Sequence, residues 1–201
     1  MQDISPLVIE REKPAGDVIV WQGQQDDVLY FVISGLVKLF ATSAEGREFI
    51  VRLVYGGDSL NGESILNKEP NELSAMAMSP AVIYGLSRQD LNRILSTHPE
   101  IQSRIVEVFA DHQRYLVRLA TELVFKNVTS RLARLLLERE KLASTGGETR
   151  ITQQDMAFMI GTVREIVSRS LRELESQGAI SIKHNQIIIT DRHKLSTLSE
   201  L

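Results

Sequence analysis

Apolar residues change their spacing along this chain, and the changes mark out its parts. From Lys13 to about Leu86 they fall in short runs broken by glycine. These are Val18 to Trp21 before Gly23, Val28 to Ile33 before Gly35, Val37 to Ala41 before Gly46, and Phe49 to Val54 before Gly56 and Gly57, then Leu73 to Met78 and Val82 to Leu86. Many short strands with turn residues between them, at intervals of about 8–12 residues, predict an antiparallel roll or sandwich. A short helix is expected near Glu63 to Leu66. Another is expected from Ser87 to Ser96, with Ser87 as cap and Leu91, Ile94 and Leu95 facing inward.

After Pro99 the period becomes helical and stays so to about Val124. Ile101, Ile105, Val108, His112, Tyr115 and Leu119 advance in steps of four and three, the spacing of a coiled-coil seam, which predicts a parallel dimer. Phe109, Leu116, Ala120 and Leu123 lie off that seam and suit packing against the roll of the same subunit. A single core helix inside a monomer is the competing reading. Phe125-Lys126-Asn127 reads as a hinge. Asn127 would cap a further helix, VTSRLARLLLEREKLA, whose Val128, Leu132, Leu135 and Leu136 form one stripe. A polar loop from Ser144 to Thr149 follows.

Ile151 to Ile182 carries two short amphipathic helices. Met156, Ala157, Met159 and Ile160 form one stripe, and Ile166, Val167, Ser170, Leu171 and Leu174 form the other. Thr152 with Asp155, and Thr162 with Glu165, both fit a capping residue followed three positions on by an acid. Gly161 supplies the sharp turn, so the pair predicts a helix-turn-helix. Gly178 ends the second helix, and Ala179 to Lys183 pairs with Gln186 to Thr190 around His184-Asn185 as a hairpin wing. The outer face of the second helix holds Arg164, Glu165, Ser168, Arg169 and Arg172. Arginine can donate twice to guanine and glutamate can accept from cytosine, so this mixed face suits base reading in a major groove. A solvated face with ion pairs inside the helix is the alternative, and Glu165 has a second one as the capping partner of Thr162.

Composition narrows the classes. The chain has 201 residues, a formal charge of −3 and no cysteine, which excludes cysteine-ligated clusters, disulfide switches and thiol nucleophiles. It lacks an apolar run near the roughly 20 residues of a membrane span and the pattern of a signal peptide, so a cytoplasmic protein without a membrane partner is expected. Residues 1–126 hold 12 basic and 17 acidic side chains, and residues 127–201 hold 11 and 9, so the C-terminal part is the mildly positive one. His112 sits mid-helix, but His98, His184 and His193 show no ligand spacing with it, so a haem or metal site is not expected. No glycine-rich phosphate loop, metal-ligand cluster or paired catalytic carboxylates suggest an enzyme.

WQGQQDDVLYFVISGLVKLFATSAEGREFIVRLVYGGDSLNGESIL, VTSRLARLLL and REIVSR together resemble the CRP/FNR (cyclic AMP receptor protein) family of bacterial transcription regulators. The resemblance implies an α+β fold: an N-terminal antiparallel β-roll, a double-stranded jelly roll of cyclic-nucleotide-binding type, then a long dimerisation helix and a C-terminal winged helix-turn-helix. The corresponding segments are residues 1–97, 98–126 and 127–201. It implies base reading by Arg164, Glu165, Ser168 and Arg169 at TGTGA or TTGA half-sites of a palindrome, with Thr152, Gln153, Lys183 and His184 as phosphate contacts. Their alternative is plain solvation. Double-stranded DNA, a second copy of the chain and RNA polymerase are the implied partners.

The effector positions depart from the family's pattern. Gly62, Glu63 and Ser74 match its nucleotide cassette, but Leu73 stands where an arginine holds the cyclic phosphate. Leu116 and Val117 replace the hydroxyl residues that meet the adenine. A leucine cannot pair with a buried anion, so cyclic AMP is not expected as effector, and Glu63 is expected to serve a local turn or cap. A non-nucleotide effector, or none, is expected instead. A ligand-sensing regulatory subunit acting on a protein partner is the competing function.

Overall fold

The computed structural model describes residues 7–143, 151–183 and 186–200. Its contacts divide the chain into two units, Met1–Asp111 and His112–Leu201.

In the first unit, strands β1 (Val8–Lys13), β2 (Val18–Val20), β3 (Val28–Ser34), β4 (Val37–Thr42), β5 (Glu48–Val54), β6 (Ser59–Leu60), β7 (Ser74–Ala77) and β8 (Ala81–Ser87) form two four-stranded antiparallel sheets. Their orders are β1-β8-β3-β6 and β2-β7-β4-β5. Alternation along the strands turns Tyr30, Val32, Leu60, Ala81 and Ile83 of one sheet toward Val20, Val37, Val54, Ala75 and Ala77 of the other, and these side chains make the core. The predicted roll is therefore present, with two strands the hydrophobic pattern does not announce. β1 reads VIEREK and is mostly exposed, a charged edge strand paired with β8 from Val8↔Leu86 to Lys13↔Ala81. β6 is two residues long, too short for any alternation.

Helix α1 (Gly62–Asn67) and helix α2 (Arg88–Thr97) fall where expected. Ser87 caps α2 by accepting from the Asp90 N–H at 3.1 Å. Leu29, Ile65, Leu86, Leu91 and Ile94 build a second apolar cluster under these helices.

Helix α3 (Pro99–Phe125) starts at the predicted proline. Ile101 and Ile105, expected on a seam between two chains, pack against the Leu29–Ile65–Leu91 cluster of their own unit. The physical reason is proximity: α3 follows α2 after a single residue, so its first turns lie beside the cluster that α2 covers.

The second unit contains helix α4 (Val128–Ala143), helix α5 (Gln153–Ile160), helix α6 (Arg164–Ser176), strands β9 (Ile180–Lys183) and β10 (Gln186–Ile189), and helix α7 (Arg192–Leu198). Asn127 caps α4 as predicted, its carboxamide oxygen accepting from the Ser130 N–H at 2.9 Å. Leu132, Ala133, Leu135 and Leu136 of α4 are buried, as are Met156, Ala157 and Ile160 of α5, Val167, Leu171 and Leu174 of α6, and Leu195 of α7. Helix α4 packs against α5, α6 and α7 and so forms the back of the unit. The pattern did not announce α7, whose Asp191 cap accepts from the Lys194 N–H at 2.9 Å.

Candidate nucleic-acid interface

The helix-turn-helix is built from its ends. Thr152 and Asp155 form a reciprocal box: the threonine hydroxyl accepts from the Asp155 N–H at 3.1 Å, and the carboxylate accepts from the Thr152 N–H at 2.9 Å. Gly161, at φ 66°, takes the left-handed conformation that closes α5, and the Thr162 N–H returns to the Ala157 carbonyl at 2.9 Å. α6 ends the same way. Gly178 has φ 75°, its N–H donates to Glu175, and the Ala179 N–H donates to Leu174 at 3.0 Å.

The start of α6 corrects the expected second box. Its N-cap is Val163 in extended conformation, with no side-chain cap, and the Val163 carbonyl accepts from Ile166 and Val167. Thr162 is occupied in closing α5 and stands one residue too early. The Glu165 carboxylate is therefore not a capping partner. It lies in the first turn of α6, where the positive end of the helix dipole favours a negative charge.

Val167, Ser170, Leu171 and Leu174 hold α6 to the core, and Thr129 of α4 adds a polar tie, 3.0 Å from the Ser170 hydroxyl and 2.9 Å from Glu173. The Glu175 carboxylate accepts from the Ile182 N–H at 2.7 Å and so anchors the wing to α6. The acids in the C-terminal half of α6 thus have structural partners. At about 100° per residue, Arg164, Ser168, Arg172, Glu165 and Arg169 share an arc of about 140° on the outward side. Arg172 donates to the Ser168 hydroxyl at 3.3 Å. Among the described residues, none hydrogen-bonds or ion-pairs with the side chains of Arg164, Glu165 or Arg169, all of them exposed. The alternative of intrahelical ion pairs is not realised at these three.

Of the proposed phosphate contacts, Thr152 is exposed but its hydroxyl is committed to the capping box. Gln153 is half-buried in the first turn of α5, and Lys183 is exposed at the end of β9 beside its partner Gln186. His184 lies outside the described residues.

The effector positions of the first unit surround the start of α1 and of β7. Gly62 opens α1 close under Phe109 of α3: a Cβ at residue 62 would stand 3.3 Å from the Phe109 ring. Glu63 is exposed in the first turn of α1. Leu73 is half-buried, and the buried Ser74 hydroxyl accepts from the Gln22 N–H at 2.9 Å. Asn71, which sequence reasoning missed, anchors the segment before Leu73: its carbonyl accepts from Gly23 at 2.7 Å and its N–H donates to Gln24 at 2.9 Å. Leu116 and Val117 belong to the second unit and are 49% and 58% exposed. Among the described residues, no group of three or more His, Asp or Glu side chains is placed to hold a metal, and no helix is long and apolar enough to cross a membrane.

A helix-turn-helix backed by a third helix and flanked by a two-stranded wing, preceded in the chain by a two-sheet roll, defines a winged-helix DNA-binding regulator with a nucleotide-binding type of sensor domain. Residues 10–98 match the cyclic nucleotide-binding domain, and residues 130–198 match the Crp-like helix-turn-helix domain. The chain belongs to the CRP/FNR family of transcription regulators.

The CRP-like cAMP-activated global transcriptional regulator of Mycobacterium tuberculosis is 28% identical over 189 residues, which cover 91% of this chain and 84% of that one. The cAMP-activated global transcriptional regulator CRP of Pasteurella multocida is 29% identical over 183 residues, covering 88% and 87%. Among solved structures, FixK2 from Bradyrhizobium japonicum shares the fold with a TM-score of 0.84 at 23% identity, over 95% of this chain and 96% of that one. A CRP/FNR-family transcriptional regulator from Thermus thermophilus gives 0.79 at 26%, over 96% and 99%.

Proposed function

We propose that this DNA-binding regulator works as a homodimer on palindromic sites with TGTGA or TTGA half-sites, and that it does so without cyclic AMP. The observation that carries the DNA reading is the outer face of α6, where Arg164, Glu165 and Arg169 project without a partner among the described residues from a helix tied down along its other side. An arginine in this position can hold the O6 and N7 of a guanine, the glutamate can accept from the N4 of a cytosine, and Ser168 adds a hydroxyl to the same row. Lys183 and Gln153 would meet phosphates and set register without carrying sequence, whereas Thr152, with its hydroxyl and N–H both donated to Asp155, would not.

Dimerisation is inferred from the stripe on α3, where Val108 is 37% exposed and a second copy of the helix would cover it. Val108, His112, Tyr115 and Leu119 are the seam in this reading, with Ile101 and Ile105 turned to the roll. Two α6 helices would then enter major grooves about 34 Å apart.

Independence from cyclic AMP rests on Leu73. At the cassette position next to Ser74 an apolar side chain leaves a cyclic phosphate without its cation, and an unpaired buried anion is costly. Leu116 and Val117 offer the adenine no hydroxyl. The effector is then a non-nucleotide metabolite, or the chain rests in its DNA-binding state and is governed by its abundance in the cytoplasm, where RNA polymerase would be its further partner. An anisotropy titration of untreated protein on TGTGA-N6-TCACA and on a scrambled duplex, with and without cyclic AMP, tests both claims. Salt-dependent preference for the palindrome without nucleotide is expected. Equal binding to both duplexes would sink the DNA reading, and a large response to cyclic AMP would sink the reading of Leu73.

A further inference from the structure

The joint between α3 and α4 is short, yet it is held from several sides. The Asn127 carboxamide accepts from the Ser130 N–H and, at 3.1 Å, from the Ser130 hydroxyl. Arg134 pairs with Glu122 of α3 at 2.9 Å and with Glu138 one turn further along α4 at 3.2 Å. The Lys126 ammonium donates to the Ser199 carbonyl after α7.

Arg131 reaches furthest. Its Nη1 donates to the Lys126 carbonyl at 2.6 Å, within the joint, and its Nε donates to the Ile160 carbonyl at 3.0 Å. Ile160 is the last residue of α5, so its carbonyl is one of the acceptors a helix end leaves open, and a guanidinium there faces the negative end of the helix dipole. One planar group therefore clasps the joint on one side and the α5–α6 turn on the other. The side chain is half-buried. Burial lowers its pKa, with Glu122 acting in the opposite sense, so these carbonyls offset a real desolvation cost.

We propose that Arg131 is a positioning residue that fixes the bearing of the reading helix on α3, and through it the spacing at which two copies of the chain read DNA. This rests on the reading of α6 as the reading helix of a homodimer. Met156, Ala157, Ile160, Val167, Leu171 and Leu174 are buried under α5 and α6 together with Leu132, Ala133, Leu135 and Leu136 of α4, so the helix pair keeps its apolar packing when the clasp is gone. What is lost is the direct tie from the end of α5 to the Lys126 carbonyl in the joint, while Thr129 still holds α6 to α4 and Arg134 still holds α4 to Glu122. Each base pair inserted between half-sites turns the second one by about 35° and moves it about 3.4 Å. A dimer with stiff joints discriminates strongly between spacers, and one with slack joints does not.

The test uses full-length Arg131→Met and Arg131→Lys on TGTGA and TCACA half-sites separated by six, seven or eight base pairs, with a scrambled duplex as reference. Wild type should favour the six-base-pair spacer over eight by about tenfold, the size of one mismatched base pair. Arg131→Met should bind all three spacers within about threefold of one another and still prefer them to the scrambled duplex, with Arg131→Lys intermediate because an ammonium lacks the two-armed reach. Equal weakening on every spacer with the spacing preference intact is what a merely structural residue would give, and it would overturn the proposal. If Arg131→Met does not fold, Arg131→Lys decides, and a wild-type spacing preference in it has the same force. A wild type with no preference for any palindrome would instead remove the DNA reading itself.

Discussion

Arg169→Ala separates base reading from general attraction to DNA. The side chain is exposed and has no hydrogen-bond or ion-pair partner among the described residues, so its removal leaves the fold untouched, with a stability change within about 0.5 kcal/mol. If Arg169 holds a guanine with two hydrogen bonds, each half-site loses about 1–3 kcal/mol of discrimination. A dimer carries the residue twice, so preference for the palindrome over the scrambled duplex should fall by about 2–6 kcal/mol, at least about thirtyfold. Non-specific binding should fall much less.

The assay is an anisotropy titration of both proteins on both duplexes across a range of salt concentrations. For a base contact, the slope of log affinity against log salt on the palindrome stays nearly as in wild type. For a phosphate contact it becomes shallower by about 0.9 for each phosphate released, and both duplexes weaken together. Equal loss on the two duplexes with a shallower slope would refute the assignment of Arg169 as a reader. No loss on either would remove it from the interface.

Thr152→Ala removes the hydroxyl half of the capping box at the start of α5, leaving the backbone N–H of residue 152 to Asp155, and should cost about 1 kcal/mol, seen as a lower urea midpoint for the second unit. Valine at the same position, which also lacks the hydroxyl, should do no better. Tyr30 gives a test in the roll. Its hydroxyl donates to Asp26 at 2.9 Å, and burial, then that carboxylate, push its pKa from 10.0 up to about 12. Because the folded state holds this proton more tightly, the contribution is complete below about pH 10 and fades as the pH rises toward about 12. Tyr30→Phe should therefore be less stable than wild type at pH 8 by denaturant melt, with the gap narrowing above pH 10. A gap that widens with pH would contradict the assigned cause.

Legibility followed the kind of force at each residue. Gly161, Gly178, Asn127 and Ser87 announce themselves because their roles are local: a positive φ or a cap is decided within a few residues. The strands with apolar inner faces are visible for the same reason, whereas β1 hides because its charged residues suit an exposed edge better than they suit a pattern. Helix α7 offered one signal, Asp191 three residues before Lys194, and only Leu195 to mark a buried side. Thr162 shows where a local rule fails. Its place in the chain fits a cap, but closing α5 takes its N–H first and the next residue starts the helix.

Partners distant in sequence were out of reach. Ile101 and Ile105 have coiled-coil spacing, and only the position of the Leu29–Leu91 cluster turns them inward. Arg131 is one more arginine on an amphipathic helix until the carbonyl of Ile160, 29 residues later, is placed against it. On the reading face, spacing sufficed to collect Arg164, Glu165, Ser168 and Arg169. That the charged three lack side-chain partners among the described residues could be learned only from where Thr129, Ile182 and the other ties fall.

Selection from a pool of random duplexes by untreated, nucleotide-free protein would show whether the reading face recognises a palindrome without cyclic AMP. Enrichment of inverted repeats with TGTGA- or TTGA-type halves whose centres lie about one helical turn apart is expected. Enrichment of nothing, of a single unrepeated motif, or of the repeat only after cyclic AMP is added would contradict it.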